Sequence, residues 1–593
     1  MLNSIIRKKS GIDKWRNSID FLKYILKKEP GIICLELLSY ILAMGIFPVI
    51  AANYWGKVVD SIFLKNGNVV NYLILLGLFG GISSCYMFFS EILDNVFRNR
   101  ISLVMQERVH LKASKISAEL YESGEVQDVV RKSQSAFFYG PAIGFFFSMV
   151  AVCASVAAMI ANLWVLLQYH FILVVCMMGI FLVEIAKIYM QKKRAEVRQK
   201  FVSEHRTLDN LKTYIKEANK VKESKIWESG SFFAKKWSDE FRSVSEKENQ
   251  LYRKNNIGVF GINILSGILY GLILGMCILL MVKDVLLIGA FSSIVLLVRV
   301  AKNNVETLVN ALSGLESDLV DLEGGYKFLN LEEEGKNGEK LKEINEIEFK
   351  NVGYQYPETS NEVLQEVSVK LKRGELVAIV GENGAGKSTI AKLILGLYQV
   401  STGVLTINKH DSLKCLAEEK YKKMSAVFQE FGQYPLTVEE NISLGSQRGK
   451  FEQEMLKLEF VNDLKEKEKT LLKKEVGGEE LSGGQWQQLA LARCLYKNGA
   501  ILVLDEPTAS LDAFKEKELF EAFKQITRGR IGVIITHRLG IVKIVNRILV
   551  VKNGRLIGDG THEQLIESVP YYKELWDAQK QLYEIKEDEM EDE

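Results

Sequence analysis

The chain has 593 residues, of which 48% are hydrophobic and 25% charged, with a formal net charge of +2. That length exceeds what a single core sustains, so at least two domains are expected. The near-neutral charge argues against a nucleic-acid surface, and seven cysteines without a paired C-x-x-C spacing argue against a disulfide framework, so they read as small reduced core residues.

Residues 1–30 carry Trp15, Ile19, Leu22 and Leu26 at helical spacing with basic residues between them, which predicts an amphipathic helix lying on a membrane surface. Six apolar runs follow, each near the roughly 20 residues that a bilayer crossing needs. They are 31–54, 70–92, 140–163, 165–189, 257–283 and 285–305. The third and fourth are almost contiguous, as are the fifth and sixth, divided by Lys283-Asp284, so each pair predicts a tight hairpin. Pro48 inside the first run predicts a kink. The long segments after the second and fourth runs hold Arg98-Asn-Arg100 and Gln191-Lys-Lys-Arg194. The excess of Lys and Arg places these segments, the N-terminal residues and the C-terminal half in the cytoplasm. Glu36, Glu184, Lys187 and Arg299 fall within or near the runs, and an intramembrane charge is a candidate for substrate contact unless it is simply wetted beyond the bilayer.

Residues 332–342 are charged and punctuated by glycine, which reads as a linker, and from about Ile347 strands alternate with helices in the manner of a soluble α/β domain. The apolar run Leu376–Val380 is followed by Gly381-Glu382-Asn383-Gly384-Ala385-Gly386-Lys387-Ser388-Thr389 and then by an apolar helical segment. Strand, glycine-rich turn and helix in that order form a phosphate-binding loop: the glycines allow close approach, and the amides and helix N-terminus face the anion. Lys387 is thereby placed for the terminal phosphates and Ser388 for Mg2+. A second apolar run, Ile501–Leu504, ends in Asp505-Glu506, a pair suited to one metal-bound carboxylate and one free base. His537 ends a third, 532–535 followed by Thr536, where open α/β sheets hold their ligands. His562 is read as structural, and His110, His170, His205 and His410 show no metal-ligand spacing.

Together with Leu481-Ser482-Gly483-Gly484-Gln485, these motifs resemble the ATP-binding cassette (ABC) transporters of the exporter type, in the form of a half-transporter. The resemblance implies an all-α transmembrane domain of six helices followed by an α/β cassette, divided as residues 1–30 (N-terminal cytoplasmic segment), 31–328 (transmembrane domain), 329–345 (linker), 346–580 (cassette) and 581–593 (acidic tail). It implies ATP and Mg2+ as cofactors, with Tyr356 stacking on adenine and Tyr354 as the alternative. Residues 381–389 would hold the phosphates, and Ser388, Gln429 and Asp505 the metal. Glu506 is implied as the base that polarises water, His537 as the sensor of the terminal phosphate, and Gln429 as a contact to metal and water. Ser482, Gly483, Gly484 and Gln485, with the loop at Asp512, would complete the site of a second chain. The partner is thus a second copy or a related half-transporter, in a cytoplasmic membrane. The segments 121–129 and 218–227, with Trp227 as anchor, are expected to contact cassettes. The segment Leu481–Arg493, with Trp486 after the signature glutamine, and the preceding 475–480 resemble bacterial exporters of modified peptides such as lanthipeptides, with any leader removed by a separate enzyme. Trp486 as a neutral packing choice, multidrug or lipid export, a soluble ABC ATPase and an ATP-gated channel stand as alternatives.

Overall fold

The computed structural model describes residues 11–65, 67–138, 140–216, 218–335, 338–444, 458–507, 523–537, 544–578 and 580. They divide into two compact units: residues up to Ala113 with Asp128–Leu331, and Ser114–Gln127 with the residues from Glu332 onward.

The first unit is helical. Helix α1, Gly11–Lys28, buries Phe21 and Ile25 and leaves Trp15, Ile19 and Leu26 exposed, the two-sidedness expected of a helix lying at a membrane surface. Helices α2 (Pro30–Tyr40) and α3 (Phe47–Phe63) are joined by a π-helical segment, Ile41–Ile46. Pro48 has no amide hydrogen and its ring crowds the preceding turn, so the ladder widens just before it. The kink expected from Pro48 thus takes the form of a π turn.

Helix α4, Val69–Ala113, is followed by α5 (Gly124–Phe138), α6 (Pro141–Tyr169), α7 (Phe171–Lys200), α8 (Val202–Lys216), α9 (Ala218–Ile226), α10 (Gly230–Val282) and α11 (Ile288–Leu329). By helical rise, the 53 residues of α10 reach about 80 Å, far beyond a bilayer core of about 30 Å. The long polar parts of these helices therefore lie in water. Among the described residues five helical stretches are long and apolar enough to cross a membrane, and the described apolar part of α7, Phe171–Ala186, is shorter.

One boundary is corrected. The third and fourth runs were divided near residue 164, but α6 continues to Tyr169 and the chain turns at His170, whose backbone is extended. Apolar residues fill 163–167 without a break, so nothing there ends the helix, which runs on through Gln168 and Tyr169.

Helices α3 and α11 meet backbone to backbone. A Cβ on Gly289 would lie 2.1 Å from the Gly56 carbonyl, and one on Gly56 would lie 1.9 Å from Ser293 Oγ. Asp60 Oδ1 accepts the Gly289 N–H at 2.6 Å, and the Ser293 hydroxyl donates to the Ala52 carbonyl at 3.0 Å. Glu36 is also buried, and Glu184 on α7 is wholly buried and accepts from the Ser266 hydroxyl of α10 at 2.5 Å. Arg299 is exposed, and the side chain of Lys187 lies outside the described ones.

The second unit holds two sheets. One is antiparallel, ordered β2-β1-β4-β5, from β1 (Glu346–Gln355), β2 (Glu362–Lys372), β4 (Thr402–Ile407) and β5 (His410–Asp411). The other is ordered β10-β9-β3-β8-β7-β6, from β3 (Leu376–Val380), β6 (Met424–Val427), β7 (Ile501–Asp505), β8 (Ile531–Ile535), β9 (Arg547–Lys552) and β10 (Arg555–Gly560). Only β10 runs antiparallel. Strands β3, β7 and β8 are buried at every residue, which is why they read as unbroken apolar runs. Helices α12 (Lys387–Ile394), α13 (Ala417–Lys422), α14 (Val438–Ser443), α15 (Gly483–Lys497), α16 (His562–Ser568) and α17 (residues 570–578) accompany them.

Candidate nucleotide site

The parallel register brings the motif residues to one edge of the sheet. Asp505 ends β7 opposite Ile535 of β8, and His537 follows two residues later. Strand β6 pairs Val427 with Leu504, so the exposed Gln429 emerges at the same edge. Strand β3, paired with β8, delivers Gly381 there.

Gly386 caps α12 with φ +100°, a left-handed conformation, and a Cβ there would lie 2.6 Å from Leu364 Cδ2. Only glycine fits both demands. Lys387 is buried, and its ammonium donates to the Gly381 and Glu382 carbonyls at 2.9 and 2.8 Å. Burial pushes its pKa down, opposed by the nearby Glu506 and Asp505 carboxylates.

Asp505 is buried and hydrogen-bonded to Ser388; burial raises its carboxyl above the usual range, with that bond and Lys387 acting against the rise. Its Oδ1 has no hydrogen-bond partner among the described residues. A buried orphan carboxylate oxygen beside a serine hydroxyl fits a hard, oxygen-seeking cation such as Mg2+. Glu506 adopts φ +49°, a costly conformation for a side-chain-bearing residue, and its amide donates to the Ile535 carbonyl at 3.0 Å. Its side chain is mostly buried, and Oε1 lies 3.2 Å from Nδ1 of the more exposed His537. A cavity of about 200 Å3 opens there, lined by Val380, Gly381, Glu382, Asn383, Thr536, His537 and Leu575.

Tyr356 is half-buried, with its hydroxyl 3.1 Å from Thr389 Oγ1. Tyr354, the alternative base-stacking residue, is wholly buried and donates to Glu119 Oε1 at 3.0 Å, so its ring offers no open face. Ser482 caps α15 with its side chain while Gln485 returns the bond to the Ser482 amide at 2.8 Å. This capping box leaves Ser482 and Gly483 exposed at a helix N-terminus, where positive potential gathers. Trp486 is buried in the core of the α15 region. Asp512 and its loop lie outside the described residues.

The structure also joins side chains that no sequence motif marks. Glu119 accepts from the Gln399 amide at 3.0 Å as well as from Tyr354, and Glu122 accepts from the Tyr398 hydroxyl. Lys392 of α12 donates to that hydroxyl at 2.8 Å and lies 3.6 Å from Glu122. Glu358 accepts from the Ser123 hydroxyl at 2.6 Å. Segment 114–127 is thus fastened beside the ring of Tyr356, which packs edge-on against Tyr398. Their partners lie more than 230 residues away, so only acidic spacing in the segment could have hinted at them.

Residues 364–509 match the family model described as ABC transporter. The chain is 27% identical over 584 residues to the subtilin transport ATP-binding protein SpaT of Bacillus subtilis, covering 93% of each. It is 25% identical to the nisin transport ATP-binding protein NisT of Lactococcus lactis subsp. lactis, covering 89% of this chain and 90% of that one. Its fold superposes on a bacterial Atm1-family ABC exporter with ATP bound, at a TM-score of 0.76 and 20% identity over 94% of this chain and 98% of that one. The helical membrane region, the phosphate loop on a parallel sheet and the matched cassette together make this chain a member of the ABC transporters, a half-transporter of the exporter type that couples ATP hydrolysis to export.

Proposed function

We propose that two copies of this chain export a peptide across the cytoplasmic membrane, with the N-terminal residues and both cassettes inside. The cargo reading is carried by the full-length similarity to proteins named for the transport of subtilin and nisin. The capped helix start with Ser482 and Gly483 exposed supports pairing, because such a terminus suits an anion delivered by another surface. Two further features complement each other. Ile226 and Trp227 are 80% and 73% exposed, and the cassette carries a groove of about 900 Å3 lined by Leu395, Leu397, Tyr421, Phe428, Ile442 and Arg493. In the paired transporter Trp227 of one copy anchors in this groove of the other.

At each nucleotide site Tyr356 stacks on adenine and the amides of 381–389 hold the phosphates. Ser388, Asp505 and Gln429 would hold Mg2+, whose charge offsets that of the phosphates. Glu506 takes the proton of the attacking water, kept in place by its bond to His537, which also senses the terminal phosphate. Ser482–Gln485 and the loop at Asp512 close the site of the partner. Pairing of the cassettes and its loss on hydrolysis drive alternate exposure of the membrane passage.

The test is accumulation of candidate peptides in inside-out vesicles supplied with MgATP. Concentrative uptake of a cationic modified peptide, with matching stimulation of hydrolysis, is the expected result. Stimulation by lipids or hydrophobic drugs alone would overturn the peptide reading, and passive equilibration would overturn the pump.

A further inference from the structure

The C-terminal helix α17 presents two faces with different partners. Tyr572 and Trp576, one turn apart, meet His562: the Tyr572 hydroxyl lies 2.8 Å from His562 Nδ1, and the Trp576 ring is centred 4.3 Å from the imidazole. His562 itself is fixed at the start of α16 by the capping box of Thr561 and Gln564. This anchoring sets the rotation of α17, and its adjoining stripe, Tyr571 and Leu575, faces the phosphate loop. Leu575 lines the cavity shared with Gly381, Glu382 and His537. The Tyr571 ring is buried against the core beneath β3 and β9, with the Lys552 ammonium 4.1 Å from its centre, and its hydroxyl accepts the Glu382 N–H at 3.3 Å.

That amide belongs to the peptide joining Gly381 to Glu382, the first of the phosphate loop. Its carbonyl, that of Gly381, is held by Lys387. The peptide is therefore gripped at both ends, by the loop's own lysine on the carbonyl side and by α17 on the amide side. A lysine that turns to a polyphosphate must release the carbonyls of Gly381 and Glu382, and the Tyr571 hydroxyl is then the hold that remains on this peptide.

We propose that α17 is part of the nucleotide site, with Tyr571 as a positioning residue that tethers the Gly381–Glu382 peptide while Lys387 transfers from the loop carbonyls to the phosphates of ATP. This rests on the nucleotide-site reading above and adds a residue beyond it. One neutral hydrogen bond sets the size of the effect, about two- to tenfold in affinity.

The experiment compares full-length wild type, Tyr571→Phe and Tyr572→Phe. ATP affinity is measured by equilibrium fluorescence titration in EDTA, without turnover, alongside steady-state hydrolysis and thermal unfolding. Tyr571→Phe keeps the ring, so its Tm should stay at the wild-type value while Kd and KM rise about two- to tenfold and kcat changes by less than about twofold. Tyr572→Phe removes the hydroxyl that fixes the rotation of α17 against His562 and bonds no amide of the loop, so it should lower Tm and raise Kd by less than Tyr571→Phe does. Wild-type affinity in Tyr571→Phe, or equal weakening in Tyr572→Phe, overturns the tether while leaving the nucleotide site standing. Failure of the wild type to bind ATP overturns the site and the tether together.

Discussion

Replacing Glu119 by alanine is a direct probe of how segment 114–127 holds to the cassette. The substitution deletes both acceptors of that carboxylate and strands the Tyr354 hydroxyl, which belongs to a wholly buried residue, along with the Gln399 amide. A hydrogen bond to a charged group contributes about 1.5–3 kcal/mol, and a stranded buried donor costs about 1–3 kcal/mol. Against this, burial pushes the Glu119 carboxyl above its ordinary pKa, so removing the carboxylate recovers desolvation energy. A net loss of about 2 kcal/mol corresponds to a roughly 30-fold shift from the docked to the released segment. Hydrogen exchange on the full-length protein should show protection of residues 118–122 falling by about that factor, with core strand β3 unchanged. In vesicles, hydrolysis should persist while cargo moved per ATP falls. Glu119→Gln keeps an acceptor for Tyr354 but loses the charge, so it should fall between. Unaltered exchange at 118–122 in Glu119→Ala would refute the assignment of these bonds as the fastening.

Glu506→Gln should retain ATP binding and lower hydrolysis by about 10²- to 10⁴-fold, as loss of a general base does, with the cassettes trapped together on sizing in MgATP. Hydrolysis at the wild-type rate would remove Glu506 from that role. The raised pKa of Asp505 gives a pH signature. A carboxyl raised by burial is protonated at a higher pH than an ordinary aspartate, and a proton competes with the metal. The Mg2+ concentration for half-maximal hydrolysis should therefore rise as pH falls, beginning above the usual aspartate range, and excess Mg2+ should restore the rate. Trp227→Ala should leave Tm unchanged, since the ring is exposed within its own chain, and should weaken cassette coupling by about 2 kcal/mol in cargo transport against hydrolysis.

The legible parts of the molecule are those in which a local pattern carries the information. Strands β3, β7 and β8 are buried on both faces, so their sequences are apolar throughout, and the residues that follow them stand at one sheet edge because the strands are parallel. Asp505, Glu506 and His537 stand at or just after these strand ends and Lys387 follows the glycine-rich loop after β3, so strand ends together with the motifs place them at one site. The turn at His170 is not legible in the sequence because the apolar residues 163–167 suit either helix, and the polar Gln168 that follows them still lies inside the first. The π segment before Pro48 was foreseen as a bend but not in kind, since proline dictates a fault in the ladder and packing decides its form. The bonds from Glu119 to Tyr354 and from Tyr571 to Glu382 join residues 235 and 189 positions apart, and neither periodicity nor motif records such pairings.

At the contact of Gly56 with Gly289 neither residue puts a side chain between the two helices to act as a bearing. Main-chain atoms abut, and the Asp60 carboxylate is bolted to a peptide nitrogen of the opposite helix. Sliding by even one residue would drive a methyl-sized group into a carbonyl. The first and last crossings of a chain are thus riveted near Gly56 and travel as a single strut, so a route for cargo has to part along some other seam of the bundle.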